Sequence, residues 1–304
     1  MPALSAKDYL LIVLAGFTIF YIVRLVAGVR VERSDPAPGE STKPNAGGLL
    51  IGFVTNFFDT FGIGSFATTT AVWRQFKIVR DDRIPGTLNV GHTFPAIVQA
   101  FIYTTIVAVG SRTLILMIVA AIAGSYLGAG VVSRWPIRRI QFGMGGALLV
   151  AAGLFLMKAL NVGPGGGELL ELDGTLLVVG VTVNFLLGAL MTLGIGLYGP
   201  CMILVSLLGM NPTAAFPIMM GSCAFLMPVA SSRFIKARRF DAGAALGLLL
   251  GGIPAVFIAA FIVKSMPVAW VRWLVIVVVV YTAVGLIRTA MSAPASEPAA
   301  APAD

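Results

Sequence analysis

Ionisable side chains are scarce in this sequence. Lysine, arginine, aspartate and glutamate make up 11% of its 304 residues, and His92 is its single histidine. A soluble domain carries roughly 25% charged residues, so this scarcity excludes an ordinary globular fold in water. Cysteine is nearly absent as well. Cys201 and Cys223 both lie in apolar segments, which argues against a disulfide framework. With one histidine and no acidic or thiol cluster at ligand spacing, neither a metal nor a cofactor is expected. No nucleophile–base pair, nucleotide-binding loop or pair of haem ligands stands out, so the chain does not read as an enzyme.

What is present is apolar. The chain is 58% hydrophobic, with a mean hydropathy of +0.95. Its apolar runs cover 9–29, 47–73, 84–109, 113–133, 140–160, 174–209, 212–232, 242–263 and 268–287. Runs of about 20 residues match membrane-spanning helices and not barrel strands. The net charge of +8 is no nucleic-acid signal, because the basic clusters fall between the runs, where positive-inside topology puts them. The run at 9–29 is long for a signal peptide and lacks a small-residue cleavage site, so it reads as a retained helix.

Punctuation divides the chain. Residues 1–46 hold the first helix and a polar, proline-containing linker, whose part from 30 to 46 is expected to be a loop. A first repeat follows at 47–160, then an acidic, glycine-rich loop at 161–173 and a second repeat at 174–290. The tail at 291–304 is rich in Ala and Pro and reads as disordered. The repeats rest on three anchors at nearly constant offset: "TFGIG" (60–64) with "TLGIG" (192–196), "NVGHTF" (89–94) with "MMGSCA" (219–224), and "SRWP" (133–136) with "KSMP" (264–267).

The run 174–209 is too long for one span. As one helix it would extend about 54 Å against a hydrocarbon core of roughly 30 Å. Gly194 and Gly196 near its middle, like Gly62 and Gly64 in 47–73, predict two shorter helices meeting at a break. Loop charge favours hairpins over crossings. With both broken segments re-entrant, the basic loops 30–46, 74–83, 134–139 and 233–241 share one side. The acidic loop and the turn at 209–212 then occupy the other, with Arg112, Lys158 and Lys264. The expected fold is an all-α polytopic membrane protein. It has an N-terminal helix plus two inverted repeats, each a re-entrant or broken helical hairpin and three transmembrane helices.

A helix broken inside a bilayer bares backbone N–H groups where its second half starts, and the dipole adds partial positive charge there. Two such starts make an anion site with no buried Lys or Arg. The candidate residues are Asn56, Asp59, Thr60, Gly62, Gly64 and Ser65 in the first segment and Thr192, Gly194, Gly196 and Tyr198 in the second. Asn89, His92, Thr93 and Ser222 join them from the following spans. The glycines also fit tight helix packing alone, but their recurrence at one place in both halves favours the site. Asp59 has no acidic counterpart, and three roles stand open for it: proton acceptor, organiser of the hairpin, or contact to a cation. His92 fits either a proton relay or a packed helix–helix hydrogen bond; both residues are the proton-coupling candidates. Asn89 and His92, three residues apart, are expected on similar helix faces.

The duplicated "GIG" breaks, with "NVGHT" (89–93) and "MGSC" (220–223) in the helices that follow, resemble the sulfite exporter TauE/SafE family of membrane permeases over roughly residues 47–290. Members commonly continue the break as a glycine run. Here Ser65 follows in the first copy and Leu197-Tyr198 in the second. The resemblance implies a multi-pass permease of the cell inner membrane that moves small anions outward, such as sulfite, sulfonates or related organosulfur and carboxylate compounds. Alternating access would rock one repeat against the other. The expected partners are a small anionic substrate and the lipid bilayer, with a homodimer left open and no nucleic acid. A non-transporting membrane scaffold or an intramembrane enzyme is the alternative.

Overall fold

A computed structural model describes residues 5–35, 41–80, 83–128, 167–191 and 196–292, with isolated positions between 138 and 160. Its helices are α1 (Ala6–Ser34), α2 (Ala46–Thr60), α3 (Ser65–Phe76), α4 (Ile84–Ile106) and α5 (Ser111–Ala123). After them come α6 (Gly174–Met191), α7 (Tyr198–Leu207), α8 (Ala215–Lys236), α9 (Ala242–Ser265) and α10 (Val268–Ser292). A π turn, Gly124–Gly128, continues α5, and a 3-10 turn, Pro212–Ala214, leads into α8. No strand occurs among the described residues. Several helices are long and apolar enough to cross a bilayer. The protein is an all-α polytopic membrane protein. The apolar run 140–160 and the tail from 293 lie essentially outside the described residues, Met291 and Ser292 closing α10.

The breaks fall where the glycines predicted. α2 stops at Thr60 and α3 starts at Ser65, with Gly62 (φ 94°) and Gly64 (φ 84°) in the left-handed region that glycine alone enters cheaply. The long run 174–209 splits into α6 and α7. The linker departs from expectation at its start, because α1 continues helically through Arg30 to Ser34. Ser5 and Asp8 close a capping box at its beginning. At its far end Arg238 holds Glu32 at 2.9 Å and Asp35 at 2.6 Å, which fastens a mostly polar final turn whose one large apolar side chain, Val31, is exposed.

The chain forms two compact units. One contains the chain up to Thr60, Gly64–Thr105 and Cys223–Ile262; the other contains Phe61–Ile63, Ile106–Ser222 and the chain from Val263. In the first, α1 lies on α4 and α8. Tyr21 donates to the Val90 carbonyl, Arg24 donates to Ser232 at 2.9 Å, and the rings of Phe17 and Phe225 meet edge to face at 5.2 Å. α2 lies on α9 along a stripe of small residues. Gly243, Gly247 and Gly251, one turn apart, admit the backbones of Ser41, Gly48 and Leu49 so closely that a methyl group at any of them would press into backbone atoms.

In the second unit α5 and α6 are equally close, with Gly188 against Ala121 and Gly124 against Phe185. The acidic loop is held here: Leu169 exchanges hydrogen bonds with Gly209 and Asn211, Leu172 N–H donates to Thr113, and Arg112 pairs with Asp173 at 3.0 Å. The loop, the 209–212 turn and Arg112 therefore share one end of this unit.

The geometry of the first unit makes α2–α3 a hairpin. The two nitrogens of one imidazole, His92 on α4, meet Asn56 Oδ1 at 3.0 Å and Thr69 Oγ1 at 3.1 Å. Those two oxygens are thus within about 8 Å of each other. A continuous helix would separate the same residues by roughly 20 Å along its axis. The outer ends agree, since Asn45 before α2 and Arg74 and Lys77 at the end of α3 line one recess with Asp241. The basic loops around 43, 74–80 and 238–241 accordingly sit together.

The glycine stripe is testable. Gly251→Ala drives a methyl group into the Leu49 carbonyl and should cost about 1–3 kcal/mol, seen as a lower melting temperature in detergent. Gly16→Ala, where a Cβ meets no atom within 4 Å, should change stability by about 1 kcal/mol or less, in the stabilising direction.

Candidate functional site

The first hairpin closes on a carboxylate. Gly64, the residue before α3, has no side chain to cap the helix. Asp59, from the last turn of α2, supplies the missing acceptor: its Oδ1 takes the Ser65 N–H at 2.6 Å. Its Oδ2 accepts from Gln99 Nε2 at 3.0 Å, and the same amide reaches Thr60 Oγ1 at 3.0 Å. Asp59, Thr60, Ser65 and Gln99 are all buried. The first backbone donor of α3, expected to stand open to a ligand, is therefore already held by an anion belonging to the chain.

One step outward the second layer begins. Thr60 Oγ1 donates to the Asn56 carbonyl at 2.8 Å, and Asn56 Nδ2 donates to Gly52 O at 2.7 Å with a long contact, 3.5 Å, to Leu248 O. Carbonyl partners fix that amide's orientation, so Asn56 presents its oxygen to His92 Nδ1. The imidazole must then carry its proton on Nδ1, leaving Nε2 to accept the Thr69 hydroxyl proton. Phe66 lies against the same ring, at 5.8 Å between centroids. The result is a buried relay of polar groups that links both legs of the hairpin to α4.

Depth follows from helix rise. Gln99 is fifteen residues past Ile84, about 22 Å along α4. The hairpin tip it touches is therefore well inside a hydrocarbon core of roughly 30 Å. His92 sits about 12 Å along the same axis.

Asn56, Asp59, Thr60, Ser65 and His92 thus come together in one network. Thr93 does not join it: its hydroxyl donates to Asn89 O and meets Ser231 Oγ at 2.9 Å on α8. Asn89 is not on the His92 face in any useful sense, because its amide folds back to Pro85 O at 2.9 Å within its own helix. Gly62 packs under Met202, whereas a Cβ at Gly64 would meet no atom within 4 Å.

The second hairpin is built from milder groups. Thr192 and Gly194 lie outside the described residues. Gly196, like Gly64, borders open space on its Cβ side. Tyr198 opens α7 and is buried, and Pro200 falls in the first turn, where its missing N–H costs nothing. Ser222 is buried and receives a hydrogen bond from Asn184 at 3.2 Å. The same amide donates to the Met117 carbonyl at 2.7 Å, leaving Asn184 Oδ1 as a buried acceptor with no partner among the described residues.

Sequence reasoning missed Gln99, Thr69 and Asn184. Two had a signal: Gln99 and Asn184 are polar residues inside apolar runs, and Gln99 has a spacing of seven from His92, which puts both on one helix face; Thr69, the middle of three threonines, had none of that kind. These residues matter because they partner the second oxygen of Asp59, the second nitrogen of His92 and the hydroxyl of Ser222, which the candidate positions alone do not.

A family model described as the sulfite exporter TauE/SafE matches residues 2–155. The match takes in the first helix, which the motif resemblance left outside, and the packing agrees, since α1 is bonded to α4 and α8. It ends before the second hairpin. No curated protein and no solved structure matches the chain.

Asn56→Ala should leave the His92 Nδ1–H buried without an acceptor and cost about 1–3 kcal/mol, measured as a fall in melting temperature. Asn89→Ala, which loses only a bond within its own helix, should shift it by less than about 0.5 kcal/mol.

Proposed function

This chain belongs to the sulfite exporter TauE/SafE family, and from that premise we propose that it exports sulfite, sulfonates or related organosulfur and carboxylate anions across the inner membrane, coupled to protons and by alternating access. The observation that carries this reading is the pair of open glycines. In each half of the chain a glycine within two residues of the start of the second half-helix, Gly64 before Ser65 and Gly196 before Leu197-Tyr198, has free space where a side chain would stand. A small anion approaching there meets backbone N–H groups and the positive end of a helix dipole, with no lysine or arginine to bind it too tightly for release.

Inverted repeats are part of the proposal, and contacts at constant offset support them. Gly91 of α4 packs on Leu248 of α9, and Gly221 of α8 packs on Ile118 of α5. The glycines are 130 residues apart and so are their partners. Each contact joins a helix from one half of the sequence to a helix from the other, as expected of two copies that exchange elements.

Asp59 gives the proton a place in the cycle. Its carboxylate occupies the seat that an incoming anion needs at the start of α3, and two anions do not share one seat at that depth. Protonation removes the repulsion and weakens the hold on Ser65 N–H, so substrate and proton enter together. His92 and Asn56 keep the legs of the hairpin in place while the tip changes partner.

Two measurements test this. Protein reconstituted in liposomes should show flux driven by a sulfite gradient and raised by a proton gradient of the same direction; absence of flux with sulfite, sulfoacetate, taurine and small carboxylates sinks the permease reading. Asp59→Asn should transport at low pH at a rate within about threefold of the parent and lose the pH dependence of flux. An unchanged pH profile in that variant would restrict Asp59 to its role as a cap.

A further inference from the structure

The recess at the foot of the first hairpin takes no part in the site above. It measures about 680 Å³ and has in its wall Lys43 from the linker, Trp73, Arg74 and Lys77 at the end of α3, then Arg80, and Asp241 at the start of α9. Four of these are cations. Among the described residues of the wall Asp241 is the one acid, and it is committed elsewhere: its Oδ1 accepts the Ala244 N–H at 2.8 Å as the cap of α9. Burial pushes its carboxyl up, against the pull of that hydrogen bond. Asp81 and Asp82, next to Arg80 in the sequence, lie outside the described residues.

The backbone is bent to build this wall. Lys77 ends α3 in the left-handed region, φ 50°, with its N–H on Arg74 O and the next N–H, from Ile78, on Trp73 O. A non-glycine residue held there is strained. The bend turns the chain back, so that Arg80 faces the same space as Arg74. Ile78, in the wall, is 42% exposed, and Phe76, two residues before it in the sequence, is 71% exposed, on a protein whose apolar surface is meant for lipid.

Size and these exposed apolar side chains together select the ligand. A lone oxyanion would fill a small part of 680 Å³ and would leave Phe76 and Ile78 uncovered. A headgroup carrying a phosphate fills the polar space, and its acyl chains cover the two apolar side chains. We propose that this recess binds the headgroup of an anionic phospholipid, which pins the linker, the end of α3 and the start of α9 together at the membrane surface. The proposal does not depend on what the protein transports.

Thermal melting of the full-length protein in detergent tests it. Added phosphatidylglycerol should raise the midpoint by about 3–5 °C, and phosphatidylcholine at the same concentration should not. The double variant Lys43→Gln, Lys77→Gln should lose at least half of that rise. If the double variant does not fold, Lys43→Gln alone, in an exposed stretch of linker, must lose part of it. An undiminished rise in the variant used, or an equal rise with phosphatidylcholine, overturns the proposal. So does an equal rise with inorganic phosphate, which assigns the recess to a free oxyanion.

Discussion

A helix cannot be interrupted inside hydrocarbon without something to bond the amides it exposes, and the hydrogen bond from Ser65 N–H to the Asp59 carboxylate meets that requirement in the first hairpin. The rest of the arrangement depends on it. Because Gly64 has no side chain, the cap comes from six residues earlier, which is possible only if the chain doubles back through the left-handed Gly62 and Gly64. Because the cap is ionisable, it needs a donor on its other oxygen, and Gln99 supplies one from α4. With Gln99 engaged at the tip, His92 two turns away is placed to hold both legs at once. One constraint therefore fixes the depth of the hairpin, its orientation on α4 and the polar residues along that helix.

The same reasoning explains why the packing is so rich in glycine. A hairpin leg of fifteen residues such as α2 buries little surface of its own and gains nothing from apolar contact alone in a lipid environment. Bringing its backbone into contact with α9 through Gly243, Gly247 and Gly251 maximises dispersion contact and lets Asn56 reach toward a carbonyl on that helix. α6 meets α5 in the same way, with Gly188 on Ala121 and Asn184 on the Met117 carbonyl. Each hairpin is clamped by close backbone contact plus one buried amide.

Much of this was legible in the sequence, and the reasons are physical. Period and length gave the helices, since an apolar run either fits a bilayer or does not. Glycine pairs inside runs located both breaks, and the charge of the loops favoured hairpins before any coordinate did. What the sequence hid was partnership. Asp59 was visible as a costly group, but that its partner is Ser65 N–H, and not a ligand, depends on a turn of four residues. Asn89 and His92 shared a helical spacing, yet Asn89 satisfies itself on Pro85 O, an option open to any Asn one turn after a carbonyl. The extension of α1 through Ser34 was hidden for the opposite reason: its support is Arg238, two hundred residues away. The stripe Gly243, Gly247, Gly251 was present as a pattern, and its spacing of four was the clue left unused.

The two halves of the sequence differ in what they can ionise. Both carry a glycine break and a buried asparagine that reaches a carbonyl on a helix from the other half. Only the first adds a carboxylate at the tip and an imidazole beneath it; the second places Ser222 beside Asn184 and leaves one amide oxygen unmatched. A group that changes charge inside a membrane is expensive in every state in which it is ionised, so a protein gains nothing by having two where one suffices. If anion recognition comes from backbone N–H groups, both halves can supply it equally, because every residue has a backbone. Proton exchange needs a side chain, and under the proposed cycle Asp59 would supply it in the first half alone. In that cycle the features common to both halves would hold the anion, and the single carboxylate would time its release.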